Sequence, residues 1–586
     1  MQGVNLMIKR LLASVREYKR PSILSFLYIV GEVIIECLIP FITADLVNSL
    51  KRDADMKSVL LTGGLLVIMA VCSLACGGLA GYESAKASAG FAKNLRHDVF
   101  NKVQEFSFEN IDRFSSSSLV TRLTTDIANV QMAYMMIIRA AVRSPLMFIF
   151  SVIMAYIMGG ALATAFVVVI PVLVVGLLLI AKTAMPAFHS VFKKYDKLNQ
   201  SIEENVRGMR VVKGFSREEY EKQKFGNAAD DIRRDFTKAE RIVAINHPLM
   251  QICLYFNMVF VLVFGAKIII TSRGSTIDVG QMSAMLTYGF QILMSLMILS
   301  MIYVMLTISM ESMRRISEVL EEKPTMTNPE SPVTEIIDGS IDFKGVSFKY
   351  SRKSDNYALS DIDLHIDSGM TVGILGGTGS GKSTLVQLIP RLYDVTEGSI
   401  LVGGRDVRSY DLTSLRDGVA MVLQKNQLFS GTIKENLRWG SENATDEELT
   451  QACRLAQADE FITAFPDGYD TYIEQGGTNV SGGQKQRLCI ARALLKKPKI
   501  LILDDSTSAV DTKTDALIRD GFRKFIPETT KLIIAQRIAS VQDADLIIIL
   551  DSGRISAYGS HEELLETSPI YREIFEEQTN GREDDE

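Results

Sequence analysis

The chain has 586 residues and a formal net charge of −6, with 23% charged residues. That length exceeds what one domain usually needs, and the nearly balanced charge argues against a nucleic-acid-binding protein. The six cysteines show no spacing typical of a disulfide or metal framework, so we expect no disulfides.

Six apolar windows are long enough to cross a membrane, which takes roughly 20 apolar residues. They cover residues 22–46, 57–82, 133–159, 161–182, 245–271 and 281–308. A basic stretch before the first window predicts a cytosolic N-terminus by the positive-inside rule, and six crossings return the chain to the cytosol. We therefore expect a multi-pass protein of the cytoplasmic membrane, in contact with the lipid bilayer and with both termini cytosolic.

The segments 83–132 and 183–244 are rich in Lys and Arg and have helical periodicity. We expect them to continue the membrane helices into the cytosol. Each segment then turns through a short connection, at 111–127 in the first case and at 204–221 in the second. The transmembrane domain predicted in this way covers residues 1–318.

The rest of the chain is divided by composition. Residues 319–338 are polar and contain three prolines, which is typical of a linker. Residues 339–578 have the alternation of strands and helices expected of a soluble α/β domain. Residues 579–586 form an acidic tail that we expect to be disordered.

The stretch TVGILGGTGSGKSTLVQLI (371–389) predicts a strand, a glycine-rich turn and a helix, and its centre fits the phosphate-binding pattern G-x-x-x-x-G-K-[ST]. In this pattern, backbone N–H groups surround phosphates, Lys382 neutralises the β- and γ-phosphates, and the Ser383 hydroxyl binds Mg²⁺. The sequence thus predicts an ATP and Mg²⁺ site built from Gly376, Gly377, Thr378, Gly379, Ser380, Gly381, Lys382, Ser383 and Thr384.

The run KILILDDS (499–506) is apolar enough for a strand that is buried on both faces of a parallel sheet. Asp504 ends this strand, where such sheets present functional groups, and is the expected outer ligand of Mg²⁺. The predicted fold class is an α-helical membrane domain, with six transmembrane helices extended into the cytosol, followed by an α/β P-loop domain.

The segment VSGGQKQRLCIARALL (480–495), which precedes LILDDSTSAVD (501–511), resembles the ABC transporters. The order of six spans and one ATPase domain is similar to a type IV exporter half, and excludes a soluble ABC ATPase of the repair kind. The resemblance implies an ABC-type nucleotide-binding domain, and it implies that 111–127 and 204–221 are coupling loops.

The resemblance also assigns roles to single residues. It implies that Tyr350 stacks on adenine and that Gln424 is a Mg²⁺ ligand that links the nucleotide to the membrane domain. Asp511 is implied at the contact between two nucleotide-binding domains. The resemblance further implies a signature loop that closes over ATP held by the opposite chain, formed by Ser481, Gly482, Gly483 and Gln484.

Two positions depart from the family pattern: Asp505 stands where the catalytic base is usually Glu, and Gln536 where the switch residue is usually His. Asp is shorter than Glu by about 1.5 Å, and a misplacement of about 1 Å can lower a rate roughly 100-fold. Gln536 can donate to a phosphate oxygen but carries no charge and shuttles no proton. We therefore expect this chain to bind MgATP and to hydrolyse it poorly.

This hypothesis requires a second half-transporter chain that carries the usual Glu and His. The intact signature loop would then complete the competent site of that partner, in a heterodimer of the multidrug type that exports lipophilic or amphiphilic compounds. Two alternatives stay open: a lipid or peptide exporter subunit, and an ATP-gated regulatory or channel-like membrane protein without net pumping.

Ionisable residues lie inside two of the predicted spans, where they are costly and usually face the bundle interior. Glu32 and Glu36 share one face of the first span, and Arg139 and Arg143 share one face of the third. They indicate either a polar cavity for charged or amphiphilic cargo or an ion-pair network between helices. A methionine stripe in the sixth span favours core packing over an adaptable binding wall; it consists of Met294, Met297, Met301 and Met305.

Overall fold

The computed structural model describes residues 2–51, 55–273, 275–351, 355–505 and 510–583. The chain divides into two compact units. The first unit contains residues 1–105 and 115–322, and the second contains residues 106–114 and 323–586. The short segment 106–114 therefore belongs with the soluble half, although it lies within the membrane half of the sequence.

In the part of the chain that the structure describes, the first unit consists of helices. A π-helical turn, Arg122–Asp126, connects two of them. The helices are α1 Gln2–Ala13, α2 Lys19–Lys51, α3 Met56–Gln104, α5 Ser116–Thr121, α6 Ile127–Ile138, α7 Ala140–Gly159, α8 Thr164–Arg207, α9 Met209–Gly214, α10 Glu218–Ala244, α11 Asn246–Ser272 and α12 Val279–Glu321.

Six helical stretches of the described residues are long and apolar enough to cross a membrane. Each overlaps one predicted window, and several run well beyond it, as α3 does with its 49 residues. The apolar runs are long because bilayer-spanning helices must satisfy every backbone group internally and bury no charge in lipid. The stretches are Arg16–Leu50, Met56–Gln104, Ser116–Gly159, Thr164–Phe188, Glu218–Ser272 and Val279–Glu321.

The turn in the segment 204–221 contains a short helix. Gly208 ends α8, α9 follows, and α10 then returns along α8. The apolar side chains of this turn are largely exposed: 61% of Val211 and 76% of Phe215 are accessible. The turn thus presents apolar surface that the first unit itself does not cover.

The second unit combines sheets with flanking helices. Its strands are β1 Ile341–Phe348, β2 Leu359–Ile366, β3 Thr371–Gly376, β4 Glu397–Val402, β5 Arg405–Asp406, β6 Val419–Val422, β7 Gly431–Thr432, β8 Tyr472–Ile473, β9 Ile500–Asp504, β10 Thr530–Ile534, β11 Leu546–Asp551 and β12 Arg554–Gly559. Its helices are α4 Phe108–Phe114, α13 Lys382–Leu388, α14 Leu412–Gly418, α15 Ile433–Arg438, α16 Asp446–Leu455, α17 Asp459–Thr463, α18 Gly482–Leu494, α19 Thr512–Phe525, α20 His561–Thr567 and α21 Pro569–Glu583.

The main sheet has six strands in the order β12-β11-β3-β10-β9-β6, and all but β12 are parallel. All five residues of β9 are buried, as expected for a strand covered on both faces. A four-stranded antiparallel sheet, β2-β1-β4-β5, packs its apolar residues against one face. The strands β3, β10 and β9 are direct neighbours, so their carboxyl ends meet at one edge.

The predicted acidic tail begins inside a helix. Helix α21 extends to Glu583, so residues 579–583 are helical. The helix is anchored by Tyr571, which is fully buried, and by the partly buried Ile574 and Phe575, which pack against the core. Residues 584–586 lie outside the described ones.

Candidate nucleotide site

The phosphate-binding loop follows β3 and leads into α13. Gly376 has a φ of +148°, and a Cβ atom there would lie 2.2 Å from the carbonyl oxygen of Leu550. Gly381 has a φ of +100°, and its Cβ would lie 2.9 Å from the carbonyl oxygen of Ala358. Only glycine fits both positions, so the loop places backbone directly at the site.

The ammonium group of Lys382 folds back over this loop. Its Nζ donates hydrogen bonds to the carbonyl oxygens of Gly376 and Gly377, each at 2.8 Å. Burial lowers the pKa of Lys382, although the carboxylates of Asp504 and Asp505 oppose the shift. The cation is therefore already held where phosphate oxygens would meet it.

The site also has the groups that Mg²⁺ requires. Ser383 Oγ donates to Asp504 Oδ1 at 3.0 Å, and burial raises the pKa of Asp504. Ser380 Oγ is buried without a hydrogen-bond partner among the described residues. Ser383 and Asp504 would hold Mg²⁺, which when bound neutralises phosphate charge.

The two residues that depart from the family pattern contact each other. Gln536 Nε2 donates to Asp505 Oδ2 at 2.8 Å, and Gln424 Nε2 approaches the same oxygen at 3.4 Å. Asp505 has a φ of +49°, in the left-handed region that Asp tolerates better than most residues. The sequence predicted the three positions but not that both amides point at one carboxylate.

Tyr350 lies beside the phosphate loop within an aromatic cluster. Its hydroxyl is 2.9 Å from Thr384 Oγ1, and its ring meets Phe348 and Tyr393 edge to face. Tyr350 is 48% exposed, so part of its ring is open to a base. Tyr393 Oη donates to Asp112 Oδ2 of α4 at 2.6 Å. Sequence reasoning missed Tyr393 and Asp112, which are far apart along the chain.

The signature residues are positioned by a helix cap. Ser481 Oγ accepts from the Gln484 N–H at 3.2 Å, and Gln484 Oε1 accepts from the Ser481 N–H at 2.9 Å, which forms a capping box at the start of α18. Gly482 and Gly483 form the first turn. Among the described residues, each of these two side chains accepts from the backbone N–H of the other residue, and neither bonds to the phosphate loop of the same chain.

Asp511 caps another helix, α19. Its Oδ1 accepts from the Thr514 N–H at 2.9 Å, and this bond lowers the pKa of Asp511. It is not brought to the phosphate loop by any of the described hydrogen bonds. The preceding residues 506–509 of the predicted loop lie outside the described ones.

The charged residues of the membrane unit form an ion-pair network. Arg143 donates from Nη2 to Glu36 Oε2 at 2.6 Å, and its Nε lies 3.4 Å from Glu32 Oε1. A Cβ at Gly77 would come within 3.1 Å of the Glu32 carboxylate, so a glycine of α3 makes room for the network. This geometry supports the ion-pair interpretation for these three residues.

Arg139 and the methionine stripe are less enclosed. The Arg139 side chain is exposed and lies over Gly81 of α3. Met301 is 64% exposed, so core packing, the favoured interpretation, is wrong at this position. The buried apolar side chains of α12 between 292 and 305 are Ile292, Leu293, Leu296 and Ile302 instead. Three further members of the stripe are partly buried, namely Met294, Met297 and Met305.

Comparisons with known proteins agree with this arrangement. Residues 22–316 match the family model of the ABC transporter transmembrane region, and residues 359–508 match the model of the ABC transporter. The uncharacterized ABC transporter ATP-binding protein YfiB of Bacillus subtilis (strain 168) is 35% identical over 98% of this chain and 99% of its own length. The uncharacterized ABC transporter ATP-binding protein MT1311 of Mycobacterium tuberculosis is 34% identical over 97% of this chain and 98% of its own.

A solved structure of a bacterial Atm1-family ABC exporter with ATP bound has a TM-score of 0.84. It covers 96% of this chain and 99% of the other at 24% sequence identity. At that identity the likeness shows the fold alone. The predicted fold class, six apolar spans followed by an ABC nucleotide-binding domain, is confirmed. The chain belongs to the ABC transporter family and has the fold of a type IV exporter half.

Proposed function

We propose that this chain is one half of a heterodimeric ABC exporter that moves lipophilic or amphiphilic compounds outward across the cytoplasmic membrane. Its own P-loop site binds MgATP and hydrolyses it poorly. Its signature loop completes the site of a partner chain that carries Glu and His at the two altered positions, and most hydrolysis takes place there.

The contact between Gln536 and Asp505 carries this proposal. A general base must accept a proton from a water about 2.6–3.2 Å away, yet Asp505 Oδ2 already accepts the Gln536 amide at 2.8 Å. That hydrogen bond takes up part of the acceptor capacity of the carboxylate, and the side chain is also about 1.5 Å shorter than Glu. Gln536 in turn offers no positive charge to the phosphate.

The binding machinery is complete by comparison. Lys382 lies folded over its loop, Ser383 and Asp504 are paired, and Tyr350 has an accessible ring. The site therefore supports nucleotide binding without supporting efficient proton abstraction. Such an asymmetry suits a chain that holds one ATP and helps to hydrolyse another.

Two surfaces support a partner chain. The signature residues begin α18, a helix of 13 residues, and the N-terminus of a helix favours phosphate oxygens of a second molecule. The turn around α9 exposes Val211 and Phe215, next to a largely apolar cavity of about 600 Å³ lined by Val206, Met209 and Phe225. Apolar surface of this kind indicates a protein contact.

ATPase measurements test the proposal. The purified chain alone should turn ATP over slowly, and Asp505→Ala should change that rate little. In the heterodimer of this chain with its partner, removal of the partner's Glu should nearly abolish ATP turnover. Turnover of the lone chain at the rate of an ordinary homodimeric exporter, abolished by Asp505→Ala, would contradict the proposal.

Transport assays separate the pump from its alternatives. Membrane vesicles that contain both chains should accumulate a lipophilic dye only with ATP. Flux down a gradient without ATP turnover would favour an ATP-gated channel-like protein. Transport of labelled lipid or peptide without dye transport would favour the other class of exporter.

A further inference from the structure

We infer that Gln578 of the C-terminal helix α21 is a positioning residue for the switch segment, defined as residues 536–540, and holds it so that the Gln536 amide faces Asp505. The inference rests on the proposed function only in taking residue 536 as the group at the γ-phosphate end of the site. It assigns a role to a helix that contributes none of the predicted site residues.

The carboxamide of Gln578 bonds to the switch backbone at two points. Its Oε1 accepts from the Ile538 N–H at 2.9 Å, and its Nε2 donates to the carbonyl oxygen of Gln536 at 3.0 Å. One planar group thus satisfies the backbone on both sides of Arg537, as a neighbouring strand would. Fixing these two peptide units limits where the Gln536 side chain can point.

Helix α21 is a firm support for this contact. Tyr571 is fully buried, and its hydroxyl is 2.6 Å from His561 Nδ1 of α20. Phe575 packs edge to face on the same imidazole, with ring centroids 5.5 Å apart. Gln578 lies seven residues after Tyr571, on the same helix face, so the buried anchor and the carboxamide are rigidly connected.

The other end of the switch segment is held by a different helix. Ser540 Oγ donates to Asp515 Oδ2 at 3.1 Å, and Asp515, only 4% exposed, lies on α19. Asp511 caps that same helix. The switch segment is therefore hydrogen-bonded to α21 at one end and to α19 at the other. Loss of Gln578 would remove the contacts at the end that carries Gln536.

Hydrogen–deuterium exchange on the full-length chain in lipid nanodiscs tests the inference. Gln578→Ala should speed exchange of the Ile538 amide roughly tenfold, because two hydrogen bonds of ordinary strength are lost. Exchange in the phosphate loop, 376–384, should not change. Gln578→Glu still accepts from the Ile538 N–H but cannot donate to Gln536. Its exchange rate at Ile538 should lie between those of the wild type and of Gln578→Ala. Glu577→Ala, at the exposed neighbouring position, is the matched control and should behave as wild type.

A second measurement reports position rather than stability. Gln578→Ala should alter the dissociation rate of MgATP from this chain several-fold, and should have no further effect when Gln536→Ala is already present. Unchanged exchange at Ile538 would overturn the inference, and so would a uniform rise along α21 and the core, which would mark a purely structural role. The lone chain could turn ATP over fast while Gln578→Ala still loses protection at the Ile538 amide. That result would refute the proposed function and leave the positioning role of Gln578 intact.

Discussion

Gln536 donates its side-chain amide to Asp505 Oδ2 at 2.8 Å, and the two residues come from the ends of neighbouring strands, β10 and β9. Under the proposed function, each of the two altered residues alone would weaken hydrolysis. Together they form a neutral donor and a short acceptor that are hydrogen-bonded to each other. Under the proposed function, this pairing accounts for a site that binds nucleotide with little drive to abstract a proton.

Restoring both residues should restore hydrolysis in this site. Asp505→Glu combined with Gln536→His should raise ATPase activity of the heterodimer whose partner site has been inactivated by up to roughly 100-fold, because the base regains its reach. Either change alone should give much less, since a Glu beside Gln536 still meets the amide donor. Steady-state phosphate release is the measurement.

Asp551→Glu provides the control for the restored site, since Asp551 is an exposed carboxylate at the end of β11. It should leave the rate unchanged. A double variant as slow as the parent would show that the two side chains are not what limits hydrolysis.

The signature loop should matter to the partner's site and not to this chain's own. Ser481→Ala removes the cap of α18 and, in the proposed heterodimer, a donor toward the partner's ATP, and should lower heterodimer turnover about 10- to 100-fold. MgATP binding to the lone chain should be unaffected. Ser560→Ala breaks the same kind of capping box at α20 and should leave turnover intact. Equal losses of turnover in both variants would show that the effect of Ser481→Ala comes from helix stability alone.

Tyr350 should contribute to affinity mainly through its ring. Tyr350→Ala should weaken MgATP binding by about 1–3 kcal/mol, the usual worth of stacking on a base. Tyr350→Phe keeps the ring and loses only the bond to Thr384, so it should cost about 1 kcal/mol or less. Calorimetric titration measures both, with Tyr472→Ala, at another exposed tyrosine, as control. Equal losses in the Ala and Phe variants would contradict stacking.

The two intramembrane arginines should behave differently. Arg143→Gln leaves Glu32 and Glu36 without their partner and should lower the yield and thermal stability of the chain. Because these groups are only partly buried, the loss should be smaller than the roughly 3–5 kcal/mol of a fully buried pair. Arg139→Gln should spare stability, and a changed KM for transport would assign it to cargo. Combining Arg143→Gln with Glu32→Gln and Glu36→Gln should recover the yield; failure to recover it would argue against a structural network.

Stability of the nucleotide-binding domain should depend weakly on pH through His365. Hydrogen bonds to Asp342 and Asp367 raise the pKa of His365 above 6.5. The protonated form is thus stabilised in the folded state, so the contribution is complete below pH 6.5 and is lost as the pH rises through the raised pKa. The His365 side chain is 59% exposed, which limits the effect to less than about 1 kcal/mol.

Trp439, the one tryptophan of the sequence, lies in this domain and reports its unfolding. The melting temperature followed by its fluorescence should fall slightly between pH 6 and pH 8. His365→Gln should flatten that slope, whereas His97→Gln, in the membrane unit, should not. A slope of opposite sign would show that the raised pKa does not govern this window.

Several features of the fold could be predicted from local sequence alone. Runs such as 57–82 had to be membrane helices because lipid admits no unsatisfied backbone. The pattern at 376–383 had to be a phosphate loop because glycine is required where φ is positive and the backbone lies close to another carbonyl. Asp504 was expected at the end of a buried strand because the residues before it are all apolar. A strand of this kind has no side chain suited to a solvent-exposed face.

Other features depended on packing between distant residues. The bond from Gln536 to Asp505 spans 31 residues, the bond from Gln578 to the Ile538 amide spans 40, and that from Tyr393 to Asp112 spans 281. None of these three bonds is marked by a pattern in the local sequence. They depend on the strand order β3-β10-β9 and on where α21 and α4 pack.

The sequence by itself determined which residue types occupy the base and switch positions, and how many helices cross the membrane. Only the tertiary structure decided that Asp505 and Gln536 satisfy each other, that Arg143 pairs with both glutamates and that Met301 lies outside the core. The physical reason is that residue identity follows from the chain, whereas hydrogen-bond partners and burial follow from contacts that folding alone creates.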